Sequence, residues 1–565
     1  TVTVAAGQTA TVELLLVQAP YQLSQTVVTA TGEQRRAEIG NAVSQIKASE
    51  LAPTAAVSDL SGLLSGRASG VQVLQGSMAG TGSRIRIRGQ NSLSLNNNPI
   101  VYVDGIRVES ASNSTANEIG GSTPSRFNDL NPEEIESIEV VKGPSAATLY
   151  GTDAAAGVIV ITTKKGRAGR TQWNAYSELG RVTDPTAYPA AYYAWGRRGT
   201  AQVQCLLADQ AAGRCAADSL TSFNLFADPE ASALGTGRRQ QYGVQASGGT
   251  DATQFFLAGE FEDEVGPYEM PAFEVNRLRT ERGAAPTEEE RRPNGIRKVN
   301  LRANGRAVVS PQAELSFNTA YVASEYRVPD SDDNTFGYMS NAIGGPGFRQ
   351  NLDPRGVPLL GYRLYTVGDI FARTNTQNVD RFISSLTGKL TPAKWLTTRL
   401  VGGVDFTSRV DEQLNLFDQG VFIQPQRSGE IFSGRANIYQ WTGDWNAIAT
   451  HTLGRWQSRT TVGTQYFHER NALTTGFGQS LPPGAQTTNS GAIRNTEQQT
   501  TERKTFGVFA EQMVGLNDRL FLTAAIRQDR VSSFGSDFQA VNYPRASLAW
   551  SLSEEPWMPR LRGLG

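Results

Sequence analysis

The stretch KGPSAATLYGTD, residues 142–153, has the residue types that come nearest to a phosphate-binding loop. Such a loop needs a lysine and a serine or threonine directly after its second glycine, so that the ammonium and backbone N–H groups converge on the phosphate. Here Lys142 precedes the first glycine, and Asp153 would put a negative charge where the phosphate belongs. The spacing also fails the three-glycine dinucleotide fingerprint. We therefore predict no nucleotide site in this stretch.

Other residue sets that could bind a metal or catalyse a reaction are incomplete. Residues 330–334 (DSDDN) bring oxygen ligands together as a calcium loop would. They lack the sixth-position glycine and the distal glutamate of an EF-hand, so a solvated loop is the favoured interpretation. His451 and His468 are too few and too isolated for a histidine zinc site or a catalytic triad. The sequence predicts no enzyme activity, metal or cofactor.

The two cysteines, Cys205 and Cys215, stand close together in a polar, alanine-rich stretch. Two cysteines in so long a chain indicate an exported protein with one local disulfide, or chance usage. We favour a disulfide, because the stretch has no strand pattern that would give either thiol a packing role. Its formation requires an oxidising compartment.

Composition and charge restrict the class of protein that must position these residues. The chain of 565 residues has 53 Lys and Arg against 54 Asp and Glu, so its net charge of −1 gives no reason to expect a nucleic-acid partner. It contains 57 Gly, 17 Tyr and 23 Phe but only 39% hydrophobic residues, which favours many short strands with turns over a helical bundle. No apolar run approaches the ~18 residues of a transmembrane helix.

Four segments differ in pattern. Residues 1–20 alternate like the end of a small β domain, and residues 21–56 form a polar linker. Residues 57–168 mix a helix-like start with short strands, which predicts an α+β domain. Residues 169–565 alternate apolar with polar side chains, strand after strand. The chain opens in a strand-like run without a signal peptide, so both ends are interpreted as cut ends.

Strand length and loop length identify the architecture of residues 169–565. The strands reach the ~10 residues of membrane barrels rather than the ~5–6 of soluble sheets. Tight turns near residues 250, 311, 392, 454 and 517 alternate with long polar excursions, which is typical of an outer-membrane barrel. We count about twelve strands and therefore predict an antiparallel transmembrane β-barrel that is open or incomplete, with the α+β domain in its lumen. Aromatics near strand ends, such as Trp173 and Trp550, fit a girdle in contact with outer-membrane lipid.

Residues 57–166 closely resemble the plug of TonB-dependent outer-membrane receptors, in particular the SusC/RagA-type branch. The most specific pieces are LNPEEIESIEV at residues 130–140 and ITTKKG at residues 161–166. The segment at 1–20 is similar to the tail of the carboxypeptidase-regulatory-like domain that this branch often carries. The resemblance implies that the stretch at 142–153 is a plug element without covalent chemistry.

The resemblance also implies sites and partners. Thr26, Val27, Val28, Thr29 and Ala30 resemble a TonB box, an extended segment able to add as a strand to TonB in the periplasm. Arg84, Arg86 and Arg88 of the plug alternate with apolar residues and are therefore expected to share one strand face. A solvated face is the ordinary interpretation, but the resemblance favours charged plug-to-barrel contacts with lumen acids such as Asp405 or Asp444.

The function implied is TonB-dependent import of an oligosaccharide or peptide across the outer membrane of a Gram-negative bacterium, with a SusD-like lipoprotein as a second partner. Two alternatives stay open. One keeps the architecture but carries a siderophore or cobalamin. The other is a secreted, non-transporting β-rich adhesin or glycan-binding protein, against which the alternating loop lengths and the polar lumen side weigh. The loop sequences contain no motif that identifies the cargo, so the substrate-binding residues stay unknown.

Overall fold

A computed structural model describes most of the chain beyond residue 25. The described residues are 26–29, 32–40, 42–51, 57, 59–76, 78–93, 97–111, 120, 123–143, 146–330, 332–423, 426–534 and 540–558. The small β domain predicted at 1–20 lies outside them, and so does Ala30 of the TonB-box-like run.

The N-terminal part is an α+β unit of short elements. They are β1 (Thr26–Thr29), β2 (Gly32–Arg35), β3 (Val43–Ile46), α1 (Ala48–Leu51), α2 (Leu60–Leu64), β4 (Val71–Leu74), β5 (Arg84–Ile87), β6 (Ile100–Val103), β7 (Ile106–Val108), β8 (Ile135–Val141), α3 (Ala147–Tyr150) and β9 (Val158–Thr163). The central sheet has the order β3-β8-β9-β6-β7, and β6 and β9 are its parallel pair. Separate antiparallel pairs join β1 to β2 and β4 to β5.

Local sequence explains several of these elements. The Asp59 side chain accepts a hydrogen bond from the Gly62 N–H at 2.9 Å and so caps α2. Asn131 caps the short 3-10 helix Pro132–Glu134, in which proline occupies the first turn, where its missing N–H is not needed. Asp104 and Gly105 both have positive φ, as the two-residue hairpin turn between β6 and β7 requires.

A single large antiparallel sheet follows. Its strands are β10 (Gly169–Val182), β14 (Gly237–Gly249), β15 (Thr253–Val265), β16 (Gly295–Ser310), β17 (Ala313–Arg327), β18 (Thr374–Ala393), β19 (Leu396–Asn415), β20 (Glu430–Leu453), β21 (Trp456–Gln479), β22 (Ile493–Leu516), β23 (Leu520–Val531) and β24 (Val541–Trp550). They are paired in this order, with β10 and β24 at the two edges. The prediction of about twelve barrel strands in an open sheet is confirmed.

The two faces of the sheet differ as a barrel requires. Along β16, the polar side chains Lys298, Asn300 and Arg302 are buried, whereas Leu301 points outward and is 52% exposed. Successive side chains of a strand face opposite sides, so the polar positions lie against the α+β unit and the apolar ones form the outer face.

Connections alternate between the two ends of the sheet. One end, which we call the turn end, has connections of two or three residues at 250–252, 311–312, 394–395, 454–455 and 517–519. The other, the loop end, has long connections containing β11 (Ala191–Arg198), β12 (Ala201–Gln204), α4 (Leu207–Ala211), β13 (Ala217–Phe223), α5 (Ala272–Arg282), α6 (Glu288–Arg291), α7 (Tyr338–Ile343) and α8 (Val367–Phe371). Among the described helices, none is both long enough and apolar enough to cross a bilayer.

The long connections pack on one another rather than extending freely into solvent. Tyr268 of the connection 266–294 is buried in one aromatic cluster with Tyr338, Tyr362 and Phe371 of the connection 328–373. Aromatic rings of this size bury large apolar areas. The loop end therefore has a hydrophobic core of its own.

Candidate functional site at the interface of plug and barrel

The α+β unit lies against the inner face of the large sheet. Ile106 of β7 belongs to the same buried cluster as Ile383 of β18 and Val401 of β19. Tyr102 of β6 packs edge-on against Phe467 of β21, with ring centroids 6.1 Å apart. The unit is thus a plug that the sheet surrounds, and not a separate globule.

A buried charged network joins the plug to the barrel through Arg381 of β18. Its Nε and Nη2 atoms donate to the two carboxylate oxygens of Asp405 at 3.0 and 2.7 Å. Nη1 also donates to Asp129 of the plug at 3.1 Å. The plug carbonyls of Arg126 and Glu109 accept from Arg381 at 2.6 and 2.7 Å. We call this group the Arg381 network.

Both carboxylates of the Arg381 network have a second donor. Asp405 accepts from the plug backbone N–H of Glu109 at 2.7 Å, and Asp129 accepts from the Tyr326 hydroxyl at 2.8 Å. Arg381, Asp405 and Asp129 have fully buried side chains. Buried charges of this kind persist only when partners replace the lost water. The network therefore fixes the plug to the barrel wall at this point. Removing any one of its members would strongly destabilise the plugged state.

A second anchor lies on β16. Arg302 Nε donates to Glu134 of the plug at 2.5 Å, and both side chains are nearly inaccessible to solvent. Two residues further along β16, on the same face, the Asn304 amide donates to the Thr163 hydroxyl and to the Lys164 carbonyl, each at 2.8 Å. These contacts fasten the last plug strand beside the start of the barrel.

The stretch at 142–153 belongs to this interface as well. Asp153 pairs with Arg107 of the plug at 2.6 Å and with Arg503 of β22. The Arg527 guanidinium of β23 donates to the Leu149 carbonyl at 3.2 Å. Gly151 has φ 88°, and a Cβ there would stand 3.2 Å from Arg527 Nη2. The described residues of the stretch thus contact the barrel wall.

The predicted ion pairs of Arg84, Arg86 and Arg88 with Asp405 or Asp444 are wrong. Arg84 and Arg88 are exposed, and Arg86 hydrogen-bonds within the plug to Asn98 and to the Ile85 carbonyl. Asp405 does contact the plug, but its cation is Arg381 of the barrel itself. The expected shared strand face is also only partly present: β5 ends at Ile87, and Arg88 has φ 58°, so the strand alternation holds for Arg84 and Arg86 alone.

Sequence reasoning missed the residues that do make the contacts. Arg302 is buried at 5% exposure in the structure, but in the sequence it is one of several polar residues that alternate along its strand. Asp129 directly precedes the LNPEE motif, where its position alone carries no sign of burial. Arg381 lies among alternating residues of β18 that resemble those of every other barrel strand.

The solvated-loop interpretation of residues 330–334 is wrong at Asp330. This side chain is buried and accepts hydrogen bonds from Arg373 at 3.0 Å and Asn375 at 2.9 Å. Within the described parts of the chain, no cluster of three or more His, Cys, Asp or Glu side chains is arranged to hold a metal ion.

Two cavities of about 490 Å³ lie between plug and barrel. The outer cavity is at the loop end, between Gln75–Gly76 of the plug, Asp184 and Tyr188 of the first long connection, and Lys298 of β16. The inner cavity is at the turn end, between Tyr102 of the plug and strands β17 to β20. The Arg381 network and the Arg302 anchor occupy the middle of the strands between these ends.

The segment that enters the plug is fastened to the turn end. Arg35, the last residue of β2, donates to both carboxylate oxygens of Asp518, at 2.8 and 2.5 Å. It also donates to Glu38 at 2.6 Å, and Glu38 accepts from Arg459 of β21 at 2.7 Å. We call Arg35, Glu38, Arg459 and Asp518 the entry latch. Upstream of it, Thr26–Thr29 pairs antiparallel with Gly32–Arg35.

The structure joins Cys205 and Cys215 by a disulfide in the first long connection. Cys205 is buried, and its N–H donates to the Ala194 carbonyl of β11 at 2.8 Å. The bond therefore attaches α4 to the three-stranded sheet of β11, β12 and β13.

Replacing both cysteines, as Cys205→Ser/Cys215→Ser, is expected to loosen this connection without unfolding the barrel. Closing so short a loop stabilises it by roughly 2–3 kcal/mol in the chain-entropy model. Amide exchange in β11 to β13 should accelerate by roughly 30- to 150-fold, because each 1.4 kcal/mol is a factor of ten. Reductant should reproduce the effect in the parent protein and add nothing in the variant. Unchanged exchange in the variant would contradict the prediction.

Two family models match the chain. The TonB-dependent Receptor Plug Domain matches residues 35–158, and the TonB dependent receptor-like, beta-barrel model matches residues 314–563. The chain therefore belongs to the TonB-dependent receptors. Members of this family are outer-membrane β-barrels of Gram-negative bacteria.

Individual relatives agree with the SusC/RagA-like resemblance. TonB-dependent receptor SusC of Bacteroides thetaiotaomicron is 33% identical over 156 residues, covering 27% of this chain and 15% of SusC. TonB-dependent receptor P39 of Formosa agariphila is 22% identical over 97% of this chain and 49% of P39. The RagAB peptide importer in its open-open state has a TM-score of 0.68 at 18% identity, over 92% of this chain and 58% of that chain. The chain thus spans about half the length of P39 and less of SusC.

Proposed function

We propose that the chain is the plug and part of the barrel of a transporter that imports an oligosaccharide or a peptide across the outer membrane, with energy delivered by TonB. The observation that carries this proposal is a plug fixed by buried ion pairs between an outer and an inner cavity. A solute large enough to need this route cannot pass while those contacts hold. Transport therefore requires work on the plug.

The force that moves the plug is transmitted through the segment that precedes it. The outer membrane has no nucleotide or ion gradient of its own, so force must arrive from the periplasm. Thr26–Thr29 is extended and β-prone, and it ends six residues before Arg35 of the entry latch. It can exchange its pairing with β2 for a strand of TonB, because strand addition uses the same backbone groups. Pull on β1 would then act directly on the latch.

The cargo class follows from likeness alone. SusC and the RagAB peptide importer match the plug and most of the fold respectively, but a vitamin B12 transporter and siderophore receptors match there as well. The higher TM-score of the peptide importer, 0.68 against 0.53 for a siderophore receptor, supports the oligosaccharide-or-peptide class over a siderophore or cobalamin. The SusC and RagAB likeness also supports a SusD-like lipoprotein as the partner at the loop end. Exposed apolar side chains there, such as Tyr192 and Leu207, offer a surface for such a partner.

Uptake by intact cells tests this proposal. Cells with and without the full-length gene would be given fluorescent oligosaccharides, oligopeptides, a ferric siderophore and cobalamin. We expect gene-dependent accumulation of an oligosaccharide or an oligopeptide. Accumulation of only the siderophore or cobalamin would reject the cargo class, and release of the protein from washed outer membranes would reject the transporter in favour of a secreted binding protein.

The entry latch predicts a measurable protection of the plug entrance. Asp518→Ala removes an exposed ion pair that we expect to contribute about 0.5–1 kcal/mol, so trypsin cleavage after Arg35 and Arg36 should accelerate by roughly two- to fivefold. Asp263→Ala removes a carboxylate that pairs with Arg238 and Arg297 at the loop end, far from Arg35, and as the control it should have no effect on this cleavage. Equal cleavage rates in parent and Asp518→Ala proteins would contradict the latch.

The latch should also depend on pH. The hydrogen bonds from Arg35 hold the pKa of Asp518 below its ordinary value of 3.8. A carboxylate whose pKa is lowered on folding contributes its stability above the unfolded pKa and loses it as the pH falls through the folded pKa. Protection from cleavage should therefore be constant above about pH 5 and should fall only in stronger acid, where an acid-active protease can be used.

A further inference from the structure

The inner cavity contains buried polar atoms without partners. Tyr102 Oη, Asp444 Oδ1 and Asn446 Oδ1 all belong to cavity-lining residues that are at least 95% buried. Within the described residues, none of these three atoms has a hydrogen-bond partner. A buried acceptor that lacks a donor costs free energy, so native proteins rarely retain one without use.

The three atoms define the chemistry that would satisfy them. Two are carboxylate or amide oxygens, which accept hydrogen bonds, and the third is a phenol, which can donate or accept. A ligand for this cavity must therefore present hydrogen-bond donors close together. Hydroxyl groups of a saccharide and amide groups of a peptide share this property. The cavity volume of about 490 Å³ lies within the range of small-molecule sites.

The position of the cavity gives it a place on the transport route. Ser316 of β17, Asn446 of β20 and Arg399 of β19 line it, and all three lie in the parts of their strands that run toward the turn end. The Arg381 network and the Arg302 anchor separate it from the outer cavity. The short turns of outer-membrane barrels face the periplasm and the long loops face the outside. A solute that has passed those contacts therefore reaches the inner cavity before it reaches the periplasm.

We propose that the inner cavity is a transit site, distinct from the site that first captures the cargo, at which hydroxyl or amide groups of the solute bind Tyr102, Asp444 and Asn446. This inference rests on the proposed import function. It assigns these residues a role in release toward the periplasm and none in capture at the loop end.

A thiol introduced after folding tests the transit site without disturbing the fold. Ser316→Cys in the full-length protein places a reactive group in the cavity wall, and the paired Cys205 and Cys215 do not compete for the label. A small methanethiosulfonate reagent should lower import of the cargo about tenfold while surface binding stays unchanged. Gln312→Cys, in the exposed turn at the same end, is the matched control whose labelling should leave import unchanged.

Protection of the same thiol identifies the ligand chemistry. In isolated outer membranes, maltotriose or trialanine should slow labelling of the Ser316→Cys variant at least threefold, and should not affect the Gln312→Cys variant. Protection by one of the two probes assigns the donors to a saccharide or to a peptide. Adding Tyr102→Phe and Asn446→Leu should abolish protection.

Two results would overturn the transit site. One is full import by the labelled Ser316→Cys protein, and the other is equal labelling rates with and without both probes. Failure of the unlabelled Ser316→Cys and parent proteins to import any cargo would instead reject the proposed function. The two failures are therefore distinguishable.

Discussion

Replacing Val27 and Val28 by proline is expected to reduce cargo uptake by about a hundredfold, to the level of cells without TonB. Proline has no backbone N–H, and its ring restricts φ, so two successive prolines prevent a strand from pairing with a partner edge. In the structure both residues belong to a backbone ladder, opposite Gln34 and Glu33. The change lies outside the plug and barrel, so membrane insertion and surface binding of cargo should persist.

Val27→Thr/Val28→Thr is the matched control, because it keeps both N–H groups and the β-branched shape. The control should import within about twofold of the parent protein. Uptake, surface binding and outer-membrane abundance would be measured in the same cells expressing the full-length protein. Normal uptake by the double-proline variant would show that this run is a linker and that energy coupling lies elsewhere.

Replacing Arg381 by methionine is expected to destabilise the plugged state by about 3–5 kcal/mol, the cost of removing one partner from a buried ion pair. Asp405 and Asp129 would then lie buried without their cation, and two plug carbonyls would lose a donor. We expect the plug to become sensitive to protease in isolated membranes. Cells should also admit a large antibiotic that the outer membrane normally excludes.

Arg306→Met is the matched control, since Arg306 forms a half-exposed ion pair with Glu314 within the barrel wall. This control should lose less than about 1 kcal/mol. A second variant, Arg381→Met/Asp405→Leu, removes opposite charges together and should recover part of the loss. Equal protease resistance and equal antibiotic exclusion in Arg381→Met and parent cells would contradict a sealing role for the network.

The barrel could be predicted because its pattern is local. Polar and apolar side chains alternate along each strand, and short connections alternate with long ones. Both patterns can be recognised from consecutive residues. One turn was misplaced: the sequence puts it at 391–393, whereas β18 continues to Ala393 and the connection is 394–395. A register shift between Leu390 and Ala393 accommodates Pro392 at this point, which strand patterns alone do not reveal.

The candidate site could be predicted only in part, because its contacts join residues that are far apart in the chain. The plug motif located the α+β unit, and Asp405 was correctly placed on the lumen side. The choice of Arg381 over Arg84 as its cation depends on which face of the plug meets the wall. The packing of Ile106 against Ile383 and Val401 determines which face of the plug meets the wall. These residues are far apart in the chain, so the pattern of one segment does not reveal their contact.

The most direct measurement is of surface binding and accumulation of the same labelled cargo, in parallel, in cells that express the full-length protein with and without a functional TonB. We expect binding at the surface to be equal in the two strains, and accumulation to be lost without TonB. The plug would then be a barrier that only periplasmic force can move. Equal accumulation in both strains would contradict this mechanism and would show that the barrel passes its cargo passively.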